Sequence, residues 1–183
     1  MIFFDTETTG LVLPAPARLE DQPRIIEFGA IKVDSELNKI AELGFLCDPG
    51  IELPPVITKI TGIKPQQLRG KAPFKQRLAE VVVFFEGEKV LCTHNCTFDT
   101  NLLYFELLRA GMEKKFPWPT THVCTVEHTM HIQKKRMKLE NLHKHLFNED
   151  PKQTHRALED VELLIKVYKE LVNREMMEAF HGK

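Results

Sequence analysis

A change of hydrophobic period near residue 50 constrains this fold more than any other feature. Residues 49–73 hold Pro49, Pro54, Pro55, Pro65 and Pro73 with Gly50, Gly62 and Gly70, a stretch that admits only short helical turns. Ahead of it the apolar residues form strand-like runs. Met1 to Asp5 is one, stopped by the polar Thr6-Glu7-Thr8-Thr9-Gly10 loop, and Pro14, Pro16 and Pro23 keep residues 11–24 irregular. Ile25–Val33 and Ile40–Cys47 follow, close enough in sequence to form a hairpin.

Beyond Pro73 the period becomes helical. Phe74, Leu78, Val81, Val82 and Phe85 mark a helix that ends by Gly87, and Lys89–Thr93 gives a fourth strand. Thr97 can cap a helix carrying Phe98, Leu102, Phe105 and Leu108 as far as Ala110-Gly111. His122–Val126 is a fifth strand and Leu139–Phe147 a short helix. The last helix runs from about His155 with Ala157, Val161, Leu164, Tyr168 and Leu171 on one stripe. Strands first, then alternating helix and strand, predict an α/β layered domain with a mixed five-stranded sheet.

At 183 residues the chain makes one domain, residues 1–183, large enough to bury a real core. No apolar run reaches the roughly 20 residues of a membrane helix, and no basic region precedes Met1-Ile2-Phe3-Phe4 as in a signal peptide, so a cytoplasmic protein is expected. Cys47, Cys92, Cys96 and Cys124 are too scattered for a disulfide framework. The set Cys92, His94, Cys96, His122 and Cys124 lacks the spacing of a structural zinc knuckle. A net charge of −1 excludes a wholly electrostatic nucleic-acid binder, but not a local basic groove.

A few carboxylates stand where packing alone would not put them. Asp5 and Glu7 are two apart at a strand end and face the same way, which suits a metal site; an Asp-Thr turn with Glu7 exposed accounts for that fragment equally well. Asp160 borders the apolar stripe of the last helix, about 100° from Val161, where a carboxylate must be paired, hydrogen-bonded or metal-bound. His155, five residues earlier, can share a site with Asp160 only from the lead-in to the helix. Asp99, near a helix start, is favoured there by the helix dipole whatever its role.

Together these fragments resemble the three motifs of the DEDDh, or DnaQ-like, 3′→5′ exonucleases, a family that includes the proofreading epsilon subunit of bacterial DNA polymerase III and several RNA-trimming enzymes. Phe4-Asp5-Thr6-Glu7-Thr8-Thr9-Gly10-Leu11 matches the first motif, and Arg24-Ile25-Ile26-Glu27-Phe28-Gly29-Ala30 resembles the strand after it. His94-Asn95-Cys96-Thr97-Phe98-Asp99 and His155-Arg156-Ala157-Leu158-Glu159-Asp160 match the second and third. Order and spacing agree from Met1 to about Val172. The resemblance implies a ribonuclease H-like three-layer fold, which agrees with the element order. One departure is Thr61-Gly62-Ile63, where family members often carry His-Gly-Ile in a position that reaches the substrate.

The resemblance also implies the chemistry. Asp5, Glu7, Asp99 and Asp160 would hold two divalent cations, Mg²⁺ or also Mn²⁺, with Asp5 bridging and Asp99 acting largely through water. His155 would be the general base, for which an ordinary histidine pKa of about 6.5 is suited. Thr8, Leu11, His94, Asn95 and Phe98 would contact the 3′ nucleotide, Leu11 as a wedge and Phe98 as a stacking face, although Phe98 also lies on an apolar helix stripe. The expected partner is nucleic acid with a single-stranded 3′ end, with a DNA polymerase or other replication protein as a further partner and no membrane. RNA 3′-end trimming is the alternative within the family, and a nucleic-acid-binding protein that has lost the chemistry the alternative outside it.

Residues 131–146 carry Lys134, Lys135, Arg136, Lys138 and Lys144 against Glu140 alone. A solvated face is the commoner meaning of such a run. Its place just before His155 also suits a rim that tracks phosphates. Arg174 to Lys183 reads as a short amphiphilic tail without a tethering segment.

Overall fold

Phe3 and Phe4 belong to different cores. The structure, a computed structural model, describes residues 1–151 and 155–174. In it β1 (Ile2–Thr8), β2 (Ile25–Val33) and β3 (Lys39–Leu46) precede the proline-rich connection, which winds into α1 (Pro55–Thr61) and α2 (Pro65–Leu68). Then come α3 (Phe74–Phe85), β4 (Val90–Thr93), α4 (Cys96–Ala110), β5 (Thr121–Cys124), α5 (Thr125–Gln133), α6 (Leu139–Phe147) and α7 (Ala157–Asn173). The strands form one mixed sheet in the order β3-β2-β1-β4-β5. β1, β2 and β3 pair antiparallel, and β1, β4 and β5 parallel.

Alternation along β1 sends Phe3 to one face of the sheet and Ile2 and Phe4 to the other. Phe3 packs edge-on against Tyr168 of α7, its ring centre 5.2 Å away, in a core shared with Leu142 and Leu146 of α6 and Val161 and Leu164 of α7. Ile2 and Phe4 meet Leu78, Val81 and Phe85 of α3 and Leu102, Leu103 and Leu107 of α4. The expected three layers result: α6 and α7, sheet, α3 and α4.

Four local expectations need correction. β1 does not stop at Asp5 but continues to Thr8, pairing Thr6 with Phe28 and Glu7 with Glu27 before a bulge; the polar side chains end the core, whereas the backbone ladder goes on. The fifth strand ends at Cys124, and Thr125 begins a helix that lacks apolar periodicity, with Thr125, Val126 and Thr129 as buried contacts. α4 starts at Cys96 with Asn95 as its cap, in the left-handed region at φ 71°, so Thr97 lies inside the helix and is not its cap. Asparagine tolerates this conformation better than most residues, and it turns the chain sharply out of β4. Finally, α7 begins at Ala157 and leaves His155 outside it, at φ 52°. The tail beyond Arg174 lies outside the described residues.

Among the described residues no helix is long and apolar enough to cross a membrane.

Candidate active site

Asp5 and Glu7 continue the alternation of Phe3 and so lie on the α7 face of β1. Thr6 points the other way, toward α4. Its N–H and its hydroxyl both donate to Asp99 Oδ1, at 3.1 and 2.8 Å. Pairing between β1 and β4 is confined to Ile2↔Leu91 and Phe3↔Cys92. The Asp99 carboxylate therefore takes a backbone donor of β1 at a point past that ladder, which ties the start of α4 to the strand that carries Asp5 and Glu7.

α7 is seated by two glycines and a glutamate. Gly29 of β2 is the cross-strand partner of both Asp5 and Gly44. A Cβ on Gly29 would lie 2.6 Å from Ala157 C and Leu158 N, and one on Gly44 would collide with the Leu158 side chain. Only glycine lets the helix start rest this low on the sheet. Glu27, buried and directly opposite Glu7, accepts from Arg156 Nε at 3.0 Å and from the Ala157 N–H at 3.1 Å.

These constraints bring Glu7, His155 and Asp160 together, one ligand atom of each within 4.8 Å of the others. Asp5, His155 and Asp160 also line a cavity of about 390 Å³ whose rim includes His94, Asn95, Arg136 and Lys138. Burial, with Asp99, Glu7, Asp160 and Glu27 nearby, holds the Asp5 carboxyl well above the ordinary range. Glu7 is pushed up to about 8 by burial and by Asp160, Glu27 and Asp99, against the opposing pull of Arg156. Asp99 is pushed up to about 7 by burial, against the hydrogen bonds from Thr6. Buried carboxylates that resist ionisation and lie near one another form a fitting donor set for hard divalent cations.

The other predicted contacts divide. Leu11 is 78% exposed near the strand end, open to a ligand. Phe98 is half-buried and packs against the α3–α4 core. The Thr8 hydroxyl donates to Gly10 O at 2.7 Å, closing the loop after β1. His94 has both ring nitrogens engaged within the protein, Nδ1 with Thr125 Oγ1 at 2.8 Å and Nε2 with Met137 O at 2.9 Å. A donor is needed toward the carbonyl, so the ring is neutral with its proton on Nε2, and burial lowers its pKa to about 4. Asn95 Oδ1 accepts from Arg136, so His94 and Asn95 together hold the 136–138 segment over the cavity. Thr61 is buried, its hydroxyl donating to Ile57 O and accepting from the Ile63 N–H, so it closes α1 and does not reach outward.

Within the basic run, Arg136 and Lys138 reach the cavity, whereas Lys144 pairs with Asp150 at 2.7 Å. Sequence reasoning missed the Glu27–Arg156 pair. Both residues fell inside matched segments, but nothing in either segment signals that they meet.

A family model described as exonuclease matches residues 2–168. The chain belongs to the exonuclease family. The DNA polymerase III subunit epsilon of Rickettsia prowazekii (strain Madrid E) is 32% identical to this exonuclease-family chain over 178 residues, 91% of the chain and 71% of the subunit. Against five other relatives, four PolC-type DNA polymerase III proteins and another epsilon subunit, the chain spans between 7% and 44% of their length. Two solved structures share the fold. A zinc-bound complex of E. coli exonuclease I with single-stranded DNA superposes with a TM-score of 0.72 at 24% identity, over 95% of this chain and 40% of that one. The nuclease domain of 3′hExo, a DEDDh family member bound to rAMP, gives 0.73 at 18% identity, over 94% and 91%. The exonuclease I complex holds a zinc ion; in this chain Glu7, His155 and Asp160 lie close enough together to hold a metal.

Proposed function

We propose that this chain, as a single exonuclease domain over residues 1–183, removes nucleotides one at a time from the 3′ end of single-stranded or frayed DNA, in the manner of a proofreading or DNA-degrading exonuclease. The observation that carries this reading is that Asp5, His155 and Asp160 line one cavity with Arg136 and Lys138 on its rim, with Glu7 beside His155 and Asp160 and with Asp99 near enough to act on the Asp5 carboxyl. A DNA substrate and a polymerase partner are supported by relatives named as DNA polymerase III proteins.

Asp5, Glu7, Asp99 and Asp160 would hold two Mg²⁺ ions, for which Mn²⁺ can substitute. Such ions supply an activated water and positive charge for the phosphorus oxygens and the departing 3′ oxygen. His155 takes a proton from the attacking water. A bond forms from the water oxygen to phosphorus while the bond from phosphorus to the 3′ oxygen breaks. The products are a nucleoside 5′-monophosphate and a strand one residue shorter with a free 3′-hydroxyl. Leu11 wedges against the terminal base and Phe98 offers the exposed part of its ring, with Thr8 near the terminal sugar. Asn95 keeps its amide N–H₂ for the strand, and His94 acts from behind it by fixing the rim.

A cleavage assay on matched 5′-labelled DNA and RNA oligonucleotides tests this. Stepwise shortening of DNA from the 3′ end, abolished by chelator and by Asp5→Ala, is the expected result. Faster shortening of the RNA would assign the RNA-trimming alternative, and strand binding with no metal-dependent cleavage would overturn catalysis altogether.

A further inference from the structure

Glu27 poses a problem that the reaction does not explain. It is a buried carboxylate facing Glu7 across the β1–β2 ladder, and like charges directly opposite one another destabilise a sheet. Among the described residues, the side-chain hydrogen bonds it accepts come from the residues that lead into α7. Arg156 Nε lies 3.0 Å from both carboxylate oxygens, Arg156 Nη2 donates to Oε1 at 2.6 Å, and the Ala157 N–H donates to Oε2 at 3.1 Å. The last bond caps α7, whose own N-cap residue, Arg156, makes no side-chain cap. One carboxylate on β2 thus fixes a guanidinium and a helix start at once.

His155 is the residue immediately before this anchor. Its φ of 52° is a left-handed conformation that costs a histidine of order 1 kcal/mol and persists only when its surroundings impose it. Arg156 returns at once to extended geometry, with φ −122° and ψ 127°. After it the helix is locked down by the close approach of Ala157 and Leu158 to Gly29. With the chain held on the carboxyl side of His155, the left-handed turn at His155 sets the imidazole beside Glu7 and Asp160.

We propose that the Glu27–Arg156 pair is a positioning clamp, which holds His155 in its left-handed turn against Glu7 and Asp160 and shields the metal carboxylates from the extra charge of Glu27. Neither residue touches substrate. Arg156 acts through His155, and its guanidinium offsets the negative field that Glu27 places on Glu7. The inference rests on the exonuclease reading above for what His155 does once it is placed.

Two substitutions separate the parts of this proposal. Arg156→Lys keeps the charge and loses the fork that spans both oxygens. Arg156→Gln loses the charge and leaves Glu27 uncompensated beside Glu7. Both are expected to lower kcat on a single-stranded oligonucleotide by about tenfold to a hundredfold with KM within about twofold, as for a misplaced catalytic group. Calorimetric Mn²⁺ titration should show Arg156→Gln binding the ion at least as tightly as wild type, because the site has gained net negative charge. A residue that only stabilises the fold would lose turnover and Mn²⁺ affinity together, and that result overturns the clamp. So does wild-type kcat in Arg156→Lys, the variant that carries the test should Arg156→Gln not fold by circular dichroism. Wild type and Asp5→Ala are run alongside: an inert wild type defeats the exonuclease reading, whereas an active wild type matched by both Arg156 variants defeats the clamp alone.

Discussion

Asp99 Oδ1 accepts two hydrogen bonds from one residue, the N–H of Thr6 at 3.1 Å and its hydroxyl at 2.8 Å. Through this contact α4 and β1, which approach the site from different parts of the chain, are registered by a residue lying between two of the proposed metal carboxylates. Both bonds favour the ionised form of Asp99 and work against the burial that raises its pKa. Removing the hydroxyl should therefore loosen Asp99 and make it harder to ionise. Thr6→Val, nearly isosteric, is expected to lower stability by about 1.5–3 kcal/mol, the range for a hydrogen bond to a charged group, and to weaken Mn²⁺ binding by about tenfold. Chemical denaturation and calorimetry check it, and an unchanged Mn²⁺ affinity would show that Thr6 does not position Asp99.

The metal-free protein should lose stability as pH rises from about 6.5 to about 8.5. Glu7 and Asp99 have folded pKa values raised to about 8 and about 7, above ordinary values of 4.5 and 3.8. Groups raised in this way stabilise the fold fully below the ordinary pKa, and the contribution is lost as pH passes the folded value. His94 works in the opposite sense, since its folded pKa of about 4 lies below the ordinary 6.5, but its contribution is complete above pH 6.5. A divalent cation removes the penalty by binding the ionised carboxylates. The gain in Tm on adding Mg²⁺ should thus be several degrees larger at the alkaline end than at pH 6.5. A metal-free Tm that is flat or rising over this window would contradict the raised values.

His155→Ala should lower turnover by roughly two to four decades, the usual worth of a general base, while strand binding stays near wild type. Single-turnover cleavage and fluorescence anisotropy with labelled oligonucleotide measure the two separately. A near-wild-type rate would remove His155 from the mechanism.

The layered fold was legible because periodicity reports burial. Strands bounded by prolines and helices with stripes such as Ala157, Val161, Leu164, Tyr168 and Leu171 stood out, and all five of these residues are buried. α5 was not legible, because it is held by Thr125, Val126 and Thr129, a set that includes two threonines and lacks the stripe that signals a helix. The acidic residues could be picked out by their placement at strand and helix ends and by motif resemblance. Their support could not. Glu27 reaches Arg156 across 129 positions of sequence and Thr6 reaches Asp99 across 93, and a single sequence records neither contact. For His155 helix geometry supplied only a condition, that a site shared with Asp160 needs it in the lead-in, since five residues rotate a helical side chain too far; the helix itself reads from the sequence as starting about there, two residues early.

Arg136 and Lys138 line the cavity, whereas Lys144 is engaged with Asp150. The double substitution of Arg136 and Lys138 by Ala should weaken single-strand binding and flatten its salt dependence by about 0.7 in log–log slope for each phosphate no longer neutralised. Lys144→Ala should leave the slope unchanged. Equal effects from the two variants would make the run a diffuse charge and not a rim.

Gly29 tests whether the seat of α7 matters to the site. A methyl group there would lie 2.6 Å from backbone atoms of Ala157 and Leu158, which cannot swing aside as a side-chain tip can, so α7 must lift off β2. That movement would draw the Ala157 N–H and Arg156 away from Glu27 and carry Asp160 away from Asp5. Gly29→Ala is accordingly expected to lower stability by about 1–3 kcal/mol, the usual size of an overpacking penalty, and to lower kcat beyond what the reduced stability explains. Gly10, with nothing within 4 Å of a Cβ, is the steric control: Gly10→Ala should unfold within a degree or two of wild type. Assays well below the melting temperature separate the two effects. Full activity in a folded Gly29→Ala protein would mean that the site tolerates a shifted helix and that its geometry is set from β1 and α4 alone.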